Sequence, residues 1–204
     1  MNEYQKEQRA AFLMAAGHLF SRPENELHAI EELIYEYLDF RREVGDFLKT
    51  HFDQVCTHAC YDNNRSACCS KEGIIAFFAD VVINTLVSEP GDIEVLCRVL
   101  EQKNEGFKCI YLGQTGCLWK IKPIVCEMFL CDEAKNRVFS DHPELLEKWA
   151  YFQNRKKDFN WPDKPVLFDR LEEIFIQAGC SSPLMYFHKS PGLLRVKQKA
   201  VKLS

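Results

Sequence analysis

No stretch of this 204-residue chain is apolar for long enough to cross a bilayer. The most apolar one, Gly73 to Val87, is short and interrupted by Asp80 and Asn84, so it reads as a buried helix of a soluble protein. Charge of one sign is lacking too. The net charge of −4 arises from acids and bases mixed along the chain, which excludes a general attraction to nucleic acid or to an anionic membrane. The start, Met1 to Arg9, lacks the basic-then-apolar order of a secretory leader, and a cytoplasmic chain is expected from it. Gly-rich phosphate loops, dinucleotide fingerprints, H-E-x-x-H and G-x-S-x-G are all missing, which removes common routes to nucleotide, zinc-protease and serine-hydrolase chemistry. Neither a fixed-period repeat nor a low-complexity linker occurs, so one domain spanning 1–204 is expected rather than a solenoid.

Cysteine, by contrast, is abundant. Eight of the ten cysteines fall into two clusters, Cys56, Cys60, Cys68 and Cys69, then Cys109, Cys117, Cys126 and Cys131. In a reducing compartment, clustered thiols more often hold metal than form bridges, and the same compartment discounts Asn64-Arg65-Ser66 as a glycosylation acceptor. Close spacing also lowers the loop cost of bringing several sulfurs to within about 2.3 Å of one ion. The patterns are C-x3-C-x7-C-C and C-x7-C-x8-C-x4-C, without the paired C-x2-C knuckles of a zinc ribbon, so they point to thiolate ligation without naming the metal. Eight ligands suit two tetrahedral zinc ions, an iron–sulfur cluster beside a zinc, or one centre with spare structural thiols. Adjacent Cys68 and Cys69 point apart in an extended chain, so joint binding requires a turn there; otherwise they serve different centres.

His58, between two candidate ligands, is read either as a replacement ligand or as a hydrogen-bond donor to a sulfur. Cys97, in an apolar helical run, reads as a small buried residue. Cys180, after Gly179, has no evident catalytic partner. Glu31, Glu32 and Glu36 lack the Glu-x-x-His arrangement of di-iron bundles and read as a solvated helix face.

Around the clusters the periodicity predicts helices: 3–19, with Phe12, Ala15, Ala16 and Leu19 on one face; a second from a capping box at Ser21-Arg22-Pro23-Glu24, with Gly45 as a bend or break; then 72–87 and 92–102. Gly113-Gln114-Thr115-Gly116 predicts a small hairpin whose turn is flanked by Cys109 and Cys117. Further helices are expected over 143–156 and 166–178, the first followed by a break at Trp161-Pro162-Asp163. Phe77, Phe78, Phe129, Tyr151, Phe152, Phe168 and Phe175 read as core packing rather than a base-stacking surface, and basic residues between Lys189 and Lys202 as a solvated tail. The fold class is therefore mainly α: N-terminal helices over 1–55, an irregular cysteine-rich segment with a small β-hairpin over 56–131, and C-terminal helices with the basic tail over 132–204.

Four pieces of the cysteine-rich segment resemble the YkgJ-like cysteine-cluster family, described as a zinc- or iron-chelating domain. They are Cys68-Cys69 preceded by Cys56 and Cys60; Cys109-Ile110-Tyr111-Leu112; Gly116-Cys117-Leu118; and Lys122-Pro123-Ile124-Val125-Cys126-Glu127-Met128-Phe129-Leu130-Cys131. The resemblance covers roughly 56 to 131. Two departures stand out: seven residues, Tyr61 to Ala67, precede the Cys pair where the family has two, and Lys122 stands where arginine is commoner. The resemblance implies metal or iron–sulfur binding. Some larger relatives methylate flagellin lysines, but no methyl-donor site is recognisable here. Pro123 is expected to fix the approach to Cys126, and Lys122 either to offset thiolate charge or simply to face solvent in a turn.

The function expected is metal binding through cysteine thiolates, leaning to an iron–sulfur cluster with redox or electron-transfer use. The alternatives are a structural zinc protein that presents a surface to a protein partner, and a small iron–sulfur oxidoreductase or methyl-transfer relative.

Overall fold

A computed structural model describes residues 1–66, 68–71, 74–160 and 164–186. Helix α1 (Glu3–Leu19) begins where the Asn2 side chain accepts from the Gln5 N–H at 2.8 Å and Gln5 Oε1 accepts from the Asn2 N–H at 2.9 Å. That reciprocal cap satisfies amides the first turn leaves open. Gln5 then reaches across the molecule, its Nε2 donating to the carbonyls of Leu100 and Gln102 at 2.9 and 2.8 Å.

The capping box expected at Ser21 does not form. Proline disfavours helical backbone in the residue before it, so helix α2 (Glu24–Asp53) starts only after Pro23, which serves as its cap. Ser21 turns back instead and donates to the His18 carbonyl at 3.2 Å. Helix α2 runs unbroken through Gly45, burying Ile30, Ile34, Tyr37, Phe40, Arg41, Val44 and Phe47 along one stripe, while Glu31, Glu32 and Glu36 stay exposed. It passes directly into a π-helical segment, Gln54–Tyr61.

Helix α3 (Phe78–Leu86) is shorter than the run expected over 72–87. The Asp80 carboxylate accepts the Phe77 N–H at 3.0 Å and sets the helix start there; 74–77 are irregular, and Glu72 and Gly73 lie outside the described residues. Helix α4 (Pro90–Leu100) carries proline in its first turn and starts two residues earlier than expected. The hairpin is confined to strands β1 (Leu112–Gly113) and β2 (Gly116–Cys117), antiparallel, with Leu112 opposite Cys117 and Gly113 opposite Gly116. Gly116 has φ of +119°, which a side chain would disfavour. Helices α5 (Ile124–Glu127), α6 (Asp132–Asp141), α7 (Leu145–Asn160) and α8 (Leu167–Gln177) complete the order. The break at 161–163 and the basic tail lie outside the described residues.

Among the described residues the protein is thus mainly helical with one two-stranded sheet, and no helix is long and apolar enough to cross a membrane. Helix α1 packs on α3 and α4, α8 on α3 and α7, and α6 on α2 and the π-helical segment. Rings of α2, α7 and α8 interlock: Phe40 stacks on Phe159 at 5.1 Å, and Tyr37 meets Phe159 and Phe168 edge-on at 5.2 and 5.7 Å. Phe77, Phe78, Phe152, Phe168 and Phe175 pack in or against this core, but Phe129 and Tyr151 do not; they are 54 % and 44 % exposed. Phe129 falls in the tight link between α5 and α6, and Tyr151 on the outer face of α7.

Candidate functional site

The π-helical segment carries Cys56 and Cys60 about one wide turn apart. Residues 61–66 fold back through a turn in which the Asn64 and Arg65 amides donate to the carbonyls of Tyr61 and Cys60 at 2.8 and 2.9 Å. Asn64 and Ser66 have φ of 57° and 38°, a left-handed backbone that costs energy for residues with side chains. Lys108 holds this loop, its Nζ donating to the carbonyl of Arg65 and, at 3.3 Å, to that of Ser66. The Cys69 amide then donates to Ser66 at 3.0 Å, and the side chains of Cys68 and Cys69 hydrogen-bond to each other. The turn needed at this pair is therefore present.

Directly beyond it the two clusters meet. Ser70 and Lys108 form an antiparallel bridge in which the Cys109 amide donates to the Cys69 carbonyl at 2.9 Å and the Lys71 amide to Phe107 at 2.8 Å. Cys109 is thus paired with the first cluster rather than flanking the hairpin turn, and only Cys117 lies in a hairpin strand. The Tyr61 hydroxyl donates to the Gly113 carbonyl at 2.8 Å and ties the hairpin to the π-helical segment. Cys126 sits in α5, and Cys131 caps α6, its sulfur accepting from the Ala134 amide at 3.5 Å.

Buried polar groups position the loop that leads to Cys126. Asp80 and Asn84, the two interruptions of the apolar run, accept the amides of Ile124 and Ile121, each at 3.0 Å. Arg41, whose side chain is 4 % exposed, donates to the Tyr37 hydroxyl at 2.6 Å and to the Lys122 carbonyl at 2.8 Å, with Glu127 at 4.0 Å. Glu127 pairs in turn with Lys122 Nζ at 3.1 Å. Burial pushes the Asp80 carboxyl up to about 6, against the pull of its two amide donors and Arg41.

Burial likewise pushes the thiols of Cys56, Cys109 and Cys126 up to about 11, and neighbouring cysteines push them the same way. Several groups oppose this. Amide hydrogen bonding from Tyr111 and Leu112 favours the Cys109 thiolate, from Trp119 that of Cys117 and from Ile75 that of Cys126. The Lys122 charge acts on Cys56, Cys68, Cys69 and Cys117. Hydrogen bonding from Cys68 lowers Cys69 and raises Cys68 itself. These thiols repel one another once ionised, which is the situation a bound cation reverses.

The donor set fits a thiophilic metal: soft sulfurs, amides directed at them, and a lysine that offsets their charge. The Tyr4 hydroxyl adds to the fit, for it is buried without a hydrogen-bond partner and within electrostatic reach of Cys109 and Cys126. Among the described residues, however, no three His, Cys, Asp or Glu side chains stand together as a formed metal site. The sulfurs share a neighbourhood, not a finished cage.

His58 is outside it. Its Nδ1 faces Asp62 at 2.9 Å and its Nε2 faces Asp53 at 3.4 Å, so exposed carboxylates occupy both nitrogens and neither a ligand nor a sulfur-bonding role is met. Cys97 is buried in α4 and Cys180 follows α8 half-buried, both apart from the clusters. A groove of about 420 Å³ opens beside Lys122, and none of its lining residues is a cysteine.

Tyr4, Arg41, Asp80, Asn84 and Glu127 were not marked as site residues by the sequence. The interrupted apolar run at Asp80 and Asn84 was the one available signal. Comparison with known protein families, curated proteins and solved structures finds no match to the chain.

Proposed function

We propose that this chain is a metal-binding protein whose eight clustered cysteines, Cys56, Cys60, Cys68, Cys69, Cys109, Cys117, Cys126 and Cys131, are thiolate ligands of an iron–sulfur cluster or of zinc, as in the YkgJ-like family it resembles. The observation that carries the proposal is the bridge at Ser70 and Lys108, which joins by backbone hydrogen bonds two cysteine clusters about forty residues apart. A cluster bound there supplies one-electron redox chemistry, and zinc supplies a structural crosslink. The protein's own residues supply the sulfurs, the amides that favour thiolate, and Lys122 against the accumulated negative charge. Metal loading then draws the sulfurs from a shared neighbourhood into ligating positions, as is usual where binding and local folding are coupled. The proposal carries with it a cytoplasmic location, where thiols stay reduced, and, for a redox role, a protein partner that exchanges the electron.

Anaerobic purification followed by metal and acid-labile sulfide analysis, with visible spectra, tests this. Iron with sulfide and a charge-transfer band selects the cluster; stoichiometric zinc without a visible band selects the structural role. A chain that retains neither metal, and binds neither on reconstitution, overturns the proposal.

A further inference from the structure

The groove beside Lys122 is built from separate pieces of chain. Leu38, Arg41 and Arg42 come from one face of α2, Val87 from the C-terminal cap of α3, and Trp119 to Lys122 from the stretch between β2 and α5. Buried groups hold these walls in place. Asn84 Oδ1 accepts the Ile121 amide, Arg41 donates to the Lys122 carbonyl, and the Trp119 ring meets Phe12 and Tyr111 edge-on at 5.0 and 5.5 Å. At about 420 Å³ the groove falls within the roughly 300–1,000 Å³ of small-molecule sites.

Its lining is rich in cations. Arg41, Arg42, Lys120 and Lys122 line it, with Glu127 as the one carboxylate among the lining residues. Ion pairs bring in two more acids, Asp39 with Arg42 and Asp92 with Lys120 at 3.3 Å. Glu127 lies nearer Lys122 Nζ than Arg41, at 3.1 against 4.0 Å. Four cations against three carboxylates leave one positive charge over, and Arg41 is the cation without a close acid. The unmatched polar atoms of the lining are donors too: Trp119 Nε1 and Arg41 Nε are buried and have no hydrogen-bond partner among the described residues.

We propose that this groove binds a small organic monocarboxylate, its carboxylate held by Arg41, Lys120 and the Trp119 N–H and its apolar body lying against Leu38, Val87 and the Trp119 ring. The site holds no thiol and stands whether or not the cysteines bind metal. One surplus positive charge matches a single carboxylate better than a doubly charged phosphate, and unmatched donors call for a ligand made of acceptors. The apolar part of the lining selects against small, strongly hydrated anions, which bury no carbon there. Neither donor nitrogen is open to solvent in this structure, so ligand entry entails a side-chain adjustment, a common change on binding.

The test is isothermal titration calorimetry of the full-length chain, as purified anaerobically, with benzoate, octanoate, acetate and inorganic phosphate at constant ionic strength. Benzoate or octanoate should bind one to one and at least about tenfold more tightly than acetate or phosphate. Trp119→Phe, which keeps an aromatic ring and deletes the donor, and Lys120→Gln, at an exposed position, should each weaken that binding about tenfold. Lys148→Gln makes the same charge change on α7 and should leave it as it was. Asp39→Asn releases Arg42 from its acid and should tighten binding, a gain that a misfolded chain does not mimic. Circular dichroism and metal content are measured for each variant, and should Trp119→Phe misfold, Lys120→Gln and Asp39→Asn carry the decision. Failure of both apolar carboxylates to bind, equal binding of acetate or phosphate, wild-type affinity in a folded Trp119→Phe or Lys120→Gln, equal weakening by Lys148→Gln, or no tightening in Asp39→Asn overturns the proposal.

Discussion

The amide of Cys109 donates to the carbonyl of Cys69 at 2.9 Å, so the end of one cysteine cluster and the start of the next are held by main chain before any metal is considered. Lys108, the bridge residue beside Cys109, is the side chain that locks this junction. Lys108→Ala removes its donation to the Arg65 and Ser66 carbonyls and releases a loop that contains two left-handed residues. The expected cost in stability is about 1 kcal/mol, the usual net worth of such bonds. The larger effect expected is faster transfer of zinc to a chromogenic chelator, because the loop bears Cys68 and Cys69. A transfer rate equal to that of wild type would show the junction holds without the lysine.

Asp80 gives a pH signature. Its carboxyl, buried and pushed up from 3.8 to about 6, binds a proton more tightly folded than unfolded. Stability from this group is therefore fully present below the unfolded value and falls as pH rises through the window from 3.8 to about 6. The loss approaches about 3 kcal/mol, since each pKa unit is worth about 1.4 kcal/mol. Asp80→Asn should be less stable than wild type at pH 4 and should lack this slope. Urea unfolding at pH 4, 5 and 6 gives the comparison, and parallel curves for the two proteins would refute the assignment.

Nothing in the sequence marks Asp80 as more than a polar break in an apolar run. The periodicity of apolar positions marks 3–19 and the run of α8 correctly, because each helix buries one face and exposes the other. The same logic treats a polar residue in an apolar run as an interruption, and says nothing about what it holds. Asp80 Oδ1 and Asn84 Oδ1 accept amides about forty residues away, and Arg41 donates to a carbonyl more than eighty residues away. Helix α6 carries no start signal in the sequence, because its cap, Cys131, is not a usual capping residue. Membership of the cysteine clusters was legible, since side-chain type and spacing carry it. The meeting of Cys69 with Cys109 was not, because it is made by backbone.

Arg41→Met keeps much of the apolar stem while deleting the guanidinium that spans Tyr37 and the Lys122 carbonyl. The variant leaves a buried carbonyl and hydroxyl without their donor, for a loss of about 3 kcal/mol, seen as a lower midpoint in chemical unfolding. Because the released loop leads to Cys126, metal retention should fall as well. An unchanged midpoint would mean that water replaces the guanidinium fully.

Serine substitutions separate ligands from bystanders. Cys117→Ser removes a sulfur that lies in the hairpin, receives the Trp119 amide and feels Lys122, and metal content should drop. Cys97→Ser changes a residue buried in α4 whose thiol is raised first by burial, and should lower stability modestly while leaving metal content intact. His58→Ala should also leave metal content intact, because Asp53 and Asp62 occupy both ring nitrogens. Those carboxylates, Asp62 first, raise the His58 pKa, so its small contribution to stability is present at acid pH and lost as pH rises through the folded value. Metal analysis of the three variants, each checked for folding, decides between them. Loss of metal from His58→Ala at wild-type helicity would place the imidazole in the site after all, and retention by Cys117→Ser would remove that sulfur from it.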